Sequence, residues 1–232
     1  MREPVKGRTE AGRRREEHAR HRRQRVVEAA SRLFLEQGYL ATTIEAIARE
    51  ASVAPATVYQ AFGTKQAILA RILDLTIAGD PGPTALLDQG WVQHARQHPD
   101  PWQRLTLVIR HTSLVAARTA AIKEVMRDAA AADPAVRQLL REDDERRYLT
   151  QRSLVDLIIG DGALRPGADR DQAAAAFFAL VNSHGYQLLA TQLSWSPADW
   201  QQWLIAVLGR ELLGISPPDP ATPDASPTHS GT

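Results

Sequence analysis

Residues 43–62 constrain this chain more than any other stretch. Ile44, Ile47, Ala48 and Ala51 recur at helical spacing, Ser52-Val53-Ala54 interrupts them, and Pro55 opens a second short helix reaching about Ala61. Proline suits the first helical position, where its missing N–H would have no partner anyway. Ahead of the pair, Thr42-Thr43-Ile44-Glu45 has capping-box spacing, a hydroxyl followed three residues later by a carboxylate. Ile44, Ile47, Ala48, Val53, Val58 and Phe62 can fix the angle between the two helices, which leaves Ala56, Thr57, Tyr59 and Gln60 facing outward. This is the pattern of a helix-turn-helix, whose second helix enters the DNA major groove. A plain helical hairpin has the same spacing. Charge favours the nucleic-acid reading, because a net charge of +1 hides an asymmetry. Residues 1–75 hold 14 Lys and Arg against 9 Asp and Glu, and the remainder holds 14 against 18.

The rest of the chain also reads as helix. Val26, Ala30, Leu33 and Phe34 share a face from about Arg20 onward, and Gly38 ends that helix. A fourth helix is predicted from about Lys65 to Ala78, with Ile68, Leu69, Ile72 and Leu75 on one side. Gly and Pro at 79–83 then punctuate the chain. Beyond them the pattern predicts helices over about 86–97, 102–118, 121–132, 134–159, 170–193 and 197–213, with a glycine-bearing loop at 160–167. No stretch sustains β alternation, so the fold class is all-α. The expected organisation is a flexible basic arm at 1–19, a helix-turn-helix domain with its linking helix at 20–78, and a larger helical domain at 79–215. A tail at 216–232, with five prolines among Ser, Thr and Asp, is expected to have no fold.

Whole classes of chemistry drop out. The chain has no cysteine, which excludes disulfides, thiolate zinc sites, iron–sulfur clusters and cysteine nucleophiles. Its longest apolar run, 173–181, is far below the roughly 18 residues that span a bilayer. No secretory signal is visible, so a cytoplasmic protein without membrane contact is expected. No G-x-S-x-G elbow, Walker loop, H-E-x-x-H or dinucleotide-binding glycine triplet occurs. Gly160-Asp161-Gly162 reads as a turn, and His94 with His98 lacks a third ligand for zinc. Catalysis, a metal and a cofactor are therefore not expected.

Residues 25–72 resemble the DNA-binding domain of the tetracycline-repressor (TetR) family of bacterial transcription regulators. The matching pieces are Ala29-Ala30-Ser31-Arg32-Leu33-Phe34, Glu36-Gln37-Gly38-Tyr39, Thr42-Thr43, Ile47-Ala48 and Thr57-Val58-Tyr59-Gln60-Ala61-Phe62-Gly63-Thr64-Lys65. The resemblance implies an all-α homodimer that binds a near-palindromic double-stranded operator, read first as a repressor. It implies further that a small-molecule effector in the C-terminal domain alters operator affinity. Carried over by position, Thr43 would touch phosphate. Pro55, Ala56, Thr57, Tyr59 and Gln60 would line the recognition helix, and Lys65 would bind backbone phosphate. Two positions depart from the family pattern: Ser52 stands where glycine is usual in the turn, and Ala54 where serine usually caps the recognition helix.

The last two helices of the family usually pair across the dimer. Ala173, Ala176, Phe177, Trp200, Trp203, Leu204 and Val207 are the expected interface here, small residues on one helix and a wide apolar stripe on the other. An effector pocket is expected between the helices of 102–159 and 170–191, lined by residues among Trp102, Leu105, Ile109, Met126, Tyr148, Arg152, Phe177, Asn182, His184 and Tyr186. Two rival readings are a helix-turn-helix regulator with no small-molecule effector, and a helical-bundle enzyme with an appended DNA-binding domain.

Overall fold

The computed structural model describes residues 10–79, 90–162 and 164–215, and among these every regular element is helical. Helix α1 spans Glu10–Gln37, α2 Ile44–Glu50, α3 Pro55–Phe62, α4 Lys65–Ala78 and α5 Gly90–Gln97. Two long helices follow, α6 over Pro101–Ala130 and α7 over Pro134–Ile159. Then come α8 over Arg170–Leu180, α9 over Ser183–Tyr186 and α10 over Pro197–Leu208. The last two run on into wider π-helical turns over Gln187–Gln192 and Gly209–Leu213.

Three expectations need correction. Helix α1 begins at Glu10, so residues 10–19 are not a flexible arm. No described side chain among them is buried, but Arg and Glu are good helix formers, and Glu10 accepts from the Arg14 guanidinium one turn on (2.8 Å). Residues 1–9 lie outside the described residues, as do 80–89 and the tail at 216–232. The helices expected at 102–118 and 121–132 are one helix, because nothing between Arg118 and Ala121 breaks a backbone. The helix expected over 170–193 is instead broken at Val181. There Asn182 caps a new helix, accepting from the Gly185 N–H (2.8 Å) and donating to Ala179 O (2.6 Å).

Two apolar cores hold the helices. The first joins Val26, Ala30, Phe34, Ile47, Val58, Ile68 and Leu69 of the N-terminal helices to Ile122, Met126 and Ala129 of α6 and Val136 of α7. The second joins Leu105 and Ile109 of α6, Leu154 and Ile158 of α7, Phe177 of α8, and Trp200, Leu204 and Leu208 of α10. The apolar packing therefore crosses the boundary expected near residue 79. Between the cores, α6 and α7 carry a buried polar layer of Thr112, Ser113, Thr119, Lys123, Asp143 and Gln151. Its centre is an ion pair from Lys123 Nζ to Asp143 Oδ2 (2.5 Å).

Candidate nucleic-acid interface

The helix-turn-helix is assembled by short-range bonds. Thr43 is the N-cap of α2, its hydroxyl accepting from the Ala46 N–H (3.1 Å). The cap is thus one residue later than the expected box. Thr42 is buried instead, donating to Gly38 O (2.8 Å) and accepting from the Gln37 amide (3.1 Å). The turn passes through Ser52 at φ +52°, a left-handed conformation that serine adopts at a cost of about 1–2 kcal/mol. Arg25 of α1 supports it, donating to Ala51 O and to Ser52 O (2.9 Å). Helix α3 begins at Pro55, and Ala54 gives no side-chain cap.

Val58 is fully buried and pins α3 against the domain, so the opposite face is turned out. Pro55, Ala56, Tyr59 and Gln60 are exposed, Tyr59 to 50%, and Thr57 is half-buried. Thr43 is also exposed. Its hydroxyl proton remains free to donate, as a phosphate contact needs. The surface therefore offers hydroxyls and an amide, with the partly positive N-terminus of α3 among them.

Lys65 is placed differently from the other candidates. Its ammonium donates to Tyr39 O and to Thr42 O (2.8 Å each) and lies 4.1 Å above the Tyr39 ring. Two of its three donors are thus spent inside the domain. Burial lowers its pKa, opposed by the charge of Asp133. The Tyr39 phenol is pushed up by burial first and by the nearby Asp133 carboxylate second, without a well-formed hydrogen bond between them. Asp133 caps α7, accepting from the Ala135 N–H (2.9 Å), and also accepts from the Gln66 amide of α4 (3.2 Å). Burial raises its carboxyl pKa, but these bonds outweigh burial and hold it below the ordinary carboxylate value. At the other end of α4, Arg118 of α6 donates to Ile77 O (3.0 Å). The linking helix is therefore gripped at both ends by the C-terminal helices.

The residues expected to line an effector pocket do not converge. Met126 belongs to the first core, whereas Leu105, Ile109 and Phe177 belong to the second. Trp102 packs over Gly209, Tyr148 stands edge-on to Phe178, and Tyr186 edge-on to Trp200. Arg152 is on the surface, paired with Asp171 (2.9 Å), and His184 is exposed. Asn182 is occupied as a helix cap. The expected dimer residues also divide. Ala173, Phe177, Trp200 and Leu204 are buried within the one chain, because α8 and α10 turn their strongest apolar stripes onto α6 and α7. Ala176, Trp203 and Val207 keep part of their surface open.

Sequence reasoning missed Arg25, Tyr39 and Asp133 as organising residues. Arg25 left a faint signal, since it lies seven residues before Arg32 on one face of α1. Arg32 in turn pairs with Glu50 of α2 (2.8 Å).

Residues 26–72, the three N-terminal helices with the start of α4, match the family described as bacterial regulatory proteins, tetR family. Those residues carry a tetR-family domain. The chain is 54% identical over 48 residues to the HTH-type transcriptional regulator HbdR of Aromatoleum sp. strain CIB. That match covers 21% of either chain, about a fifth of the curated relative. The whole fold is similar to that of a transcriptional regulator from Saccharomonospora viridis solved with choline. The TM-score is 0.61 at 22% identity, over 82% of this chain and 97% of that one. It is likewise similar to FadR of Bacillus subtilis in complex with stearoyl-CoA. There the TM-score is 0.61 at 19% identity, over 80% of this chain and 96% of that one. At such identities these likenesses establish the fold alone, an N-terminal helix-turn-helix domain with a larger helical domain behind it.

Proposed function

We propose that this chain is a cytoplasmic transcriptional repressor that binds a near-palindromic operator as a homodimer and takes no part in catalysis. The observation that carries the reading is α3. Val58 anchors one side, and Thr57, Tyr59 and Gln60 stand on the other with no intramolecular role assigned to their side chains. Thr43, Pro55 and Ala56 complete the surface, and Lys65 has one donor left for phosphate. Two copies would read successive major grooves about one helical turn apart.

A small molecule in the C-terminal domain would alter operator affinity by binding one conformation better than the other. Two proteins of this fold were solved with ligands as different as choline and stearoyl-CoA. Support within this chain comes from the polar layer between the cores. Ser113 is buried there, and its hydroxyl has no partner among the described residues.

The test is selection of bound fragments from a random duplex pool, followed by titration of operator and scrambled duplexes. Tyr59→Ala should weaken both alike, because phosphate contacts carry little sequence information. Gln60→Ala should cost about 1–3 kcal/mol at one or two operator positions if its contact is bidentate. Undiminished operator affinity in both variants would sink the assignment.

A further inference from the structure

Helix α1 is longer than its domain needs. Among the described side chains its first buried one is Val26, so residues 10–24 extend about 22 Å beyond the packed helices at 1.5 Å per residue. Residues 13–18 and 20–24 are all exposed. The charges on this extension fall on several faces, with Arg13, Glu16, Arg20 and Arg23 on the side opposite Arg14 and Arg22. At 3.6 residues per turn, Arg14, Arg15, His18, Arg22 and Arg25 fall within an arc of about 100°. Glu10, Glu17, Gln24 and Glu28 form an adjoining, narrower stripe, in which the Gln24 amide donates to Glu28 (2.9 Å) and Glu10 accepts from Arg14 of the basic face (2.8 Å).

The two ends of the basic stripe fix where it points. Arg25 reaches the carbonyls of Ala51 and Ser52, the turn that leads into α3 three residues later. Arg32 continues the same side and meets Glu50. The basic face therefore lies on the side of α1 that carries the helix-turn-helix turn. A row of guanidinium groups has as its natural complement a row of phosphates. A bilayer surface is a poorer match. Ala11 and Ala19 are the only apolar residues from Glu10 to Arg25, so the extension has no face to bury among acyl chains.

We propose that the α1 extension is a second DNA-binding element, its Arg14, Arg15, His18 and Arg22 face gripping backbone phosphates that flank the helix-turn-helix footprint. The inference rests on the DNA-binding reading above. Its length would track about six or seven base pairs at 3.4 Å each. The contact is to the backbone and carries no base specificity of its own.

The full chain and its Arg14→Gln/Arg15→Gln/Arg22→Gln variant are titrated against a labelled scrambled duplex of about 50 base pairs across a salt series. Glutamine has a helix propensity close to that of arginine, so α1 should persist, and circular dichroism checks it. The logarithmic salt slope should fall by about 0.9 per lost contact, up to about 2.7 for each bound subunit. The triple lysine variant should keep the wild-type slope. An unchanged slope in the glutamine variant, with wild-type affinity, overturns the proposal while leaving the helix-turn-helix reading intact. Loss of binding to phosphatidylglycerol vesicles with an unchanged DNA slope overturns it in favour of a membrane surface. A wild-type chain that binds no duplex at all removes the DNA-binding reading itself, and this inference with it.

Discussion

Lys65 shows how one residue can be matched by position and yet be employed differently. Its ammonium closes the loop between α1 and α2 by bridging Tyr39 O and Thr42 O, with the Tyr39 ring beneath it. Lys65→Met keeps the aliphatic stem and removes that bridge. It should lower the urea midpoint by the equivalent of about 1–3 kcal/mol, the range for hydrogen bonds to a charged group. A midpoint equal to wild type would return Lys65 to a purely DNA-facing role. Asp133 makes a pH-dependent prediction. Its folded pKa is depressed, so its contribution is fully present above the ordinary carboxylate value and is lost as pH falls through the lower folded one. Asp133→Asn should therefore flatten the acid limb of the stability–pH curve below about pH 4. Asp133→Ala should in addition remove the α7 cap, at about 0.5–2 kcal/mol. Urea titrations at neutral and acid pH separate the two effects.

At the scale of elements, α4 is the piece on which both domains act. Asp133 holds its first turn through Gln66, and Arg118 holds its last through Ile77 O. Gly79, at φ +76°, lies so close to the Arg118 guanidinium that a β-carbon there would collide with it. Arg118→Ala should lower amide-exchange protection in the last turn of α4 and leave α3 unchanged. Equal loss in both helices would mean that the effect is global. Helix starts were legible where a proline or hydroxyl signalled them at Pro55, Lys65, Pro134 and Pro197, and one residue off at the Thr42–Thr43 pair. Junctions without a backbone breaker were not. The fusion of α6 needs no signal at all, and the break at Val181 depends on the Asn182 side chain choosing a local carbonyl and N–H. The extension of α1 was missed because burial was the criterion, and this helix is supported by propensity and charge alone. The outward face of α3 was legible because Val58 fixes the phase of eight residues. The effector and dimer residues were not, because apolar periodicity cannot tell a stripe that packs inside the subunit from one that packs across subunits.

For the whole molecule, that ambiguity sets the dimer prediction. With Trp200 and Leu204 inside the chain, the surface left on α8 and α10 runs through Ala176, Trp203 and Val207, with Trp203 edge-on to Trp195. A stable pairing of two copies should bury above about 1,200 Å² in total. Val207→Arg should yield a folded monomer in sedimentation and a much weaker operator complex, since two linked heads gain through effective concentration. A dimer that persists with normal operator binding would move the partner surface elsewhere.

The first core carries one more consequence. Ile122, Met126, Ala129 and Val136 complete the packing around Ile68 and Leu69, so the helix-turn-helix head is not a detachable part. Transplanted onto another protein by a cut near Gly79, it would arrive with an uncovered apolar flank. A working graft would have to carry the tip of the α6–α7 hairpin as well.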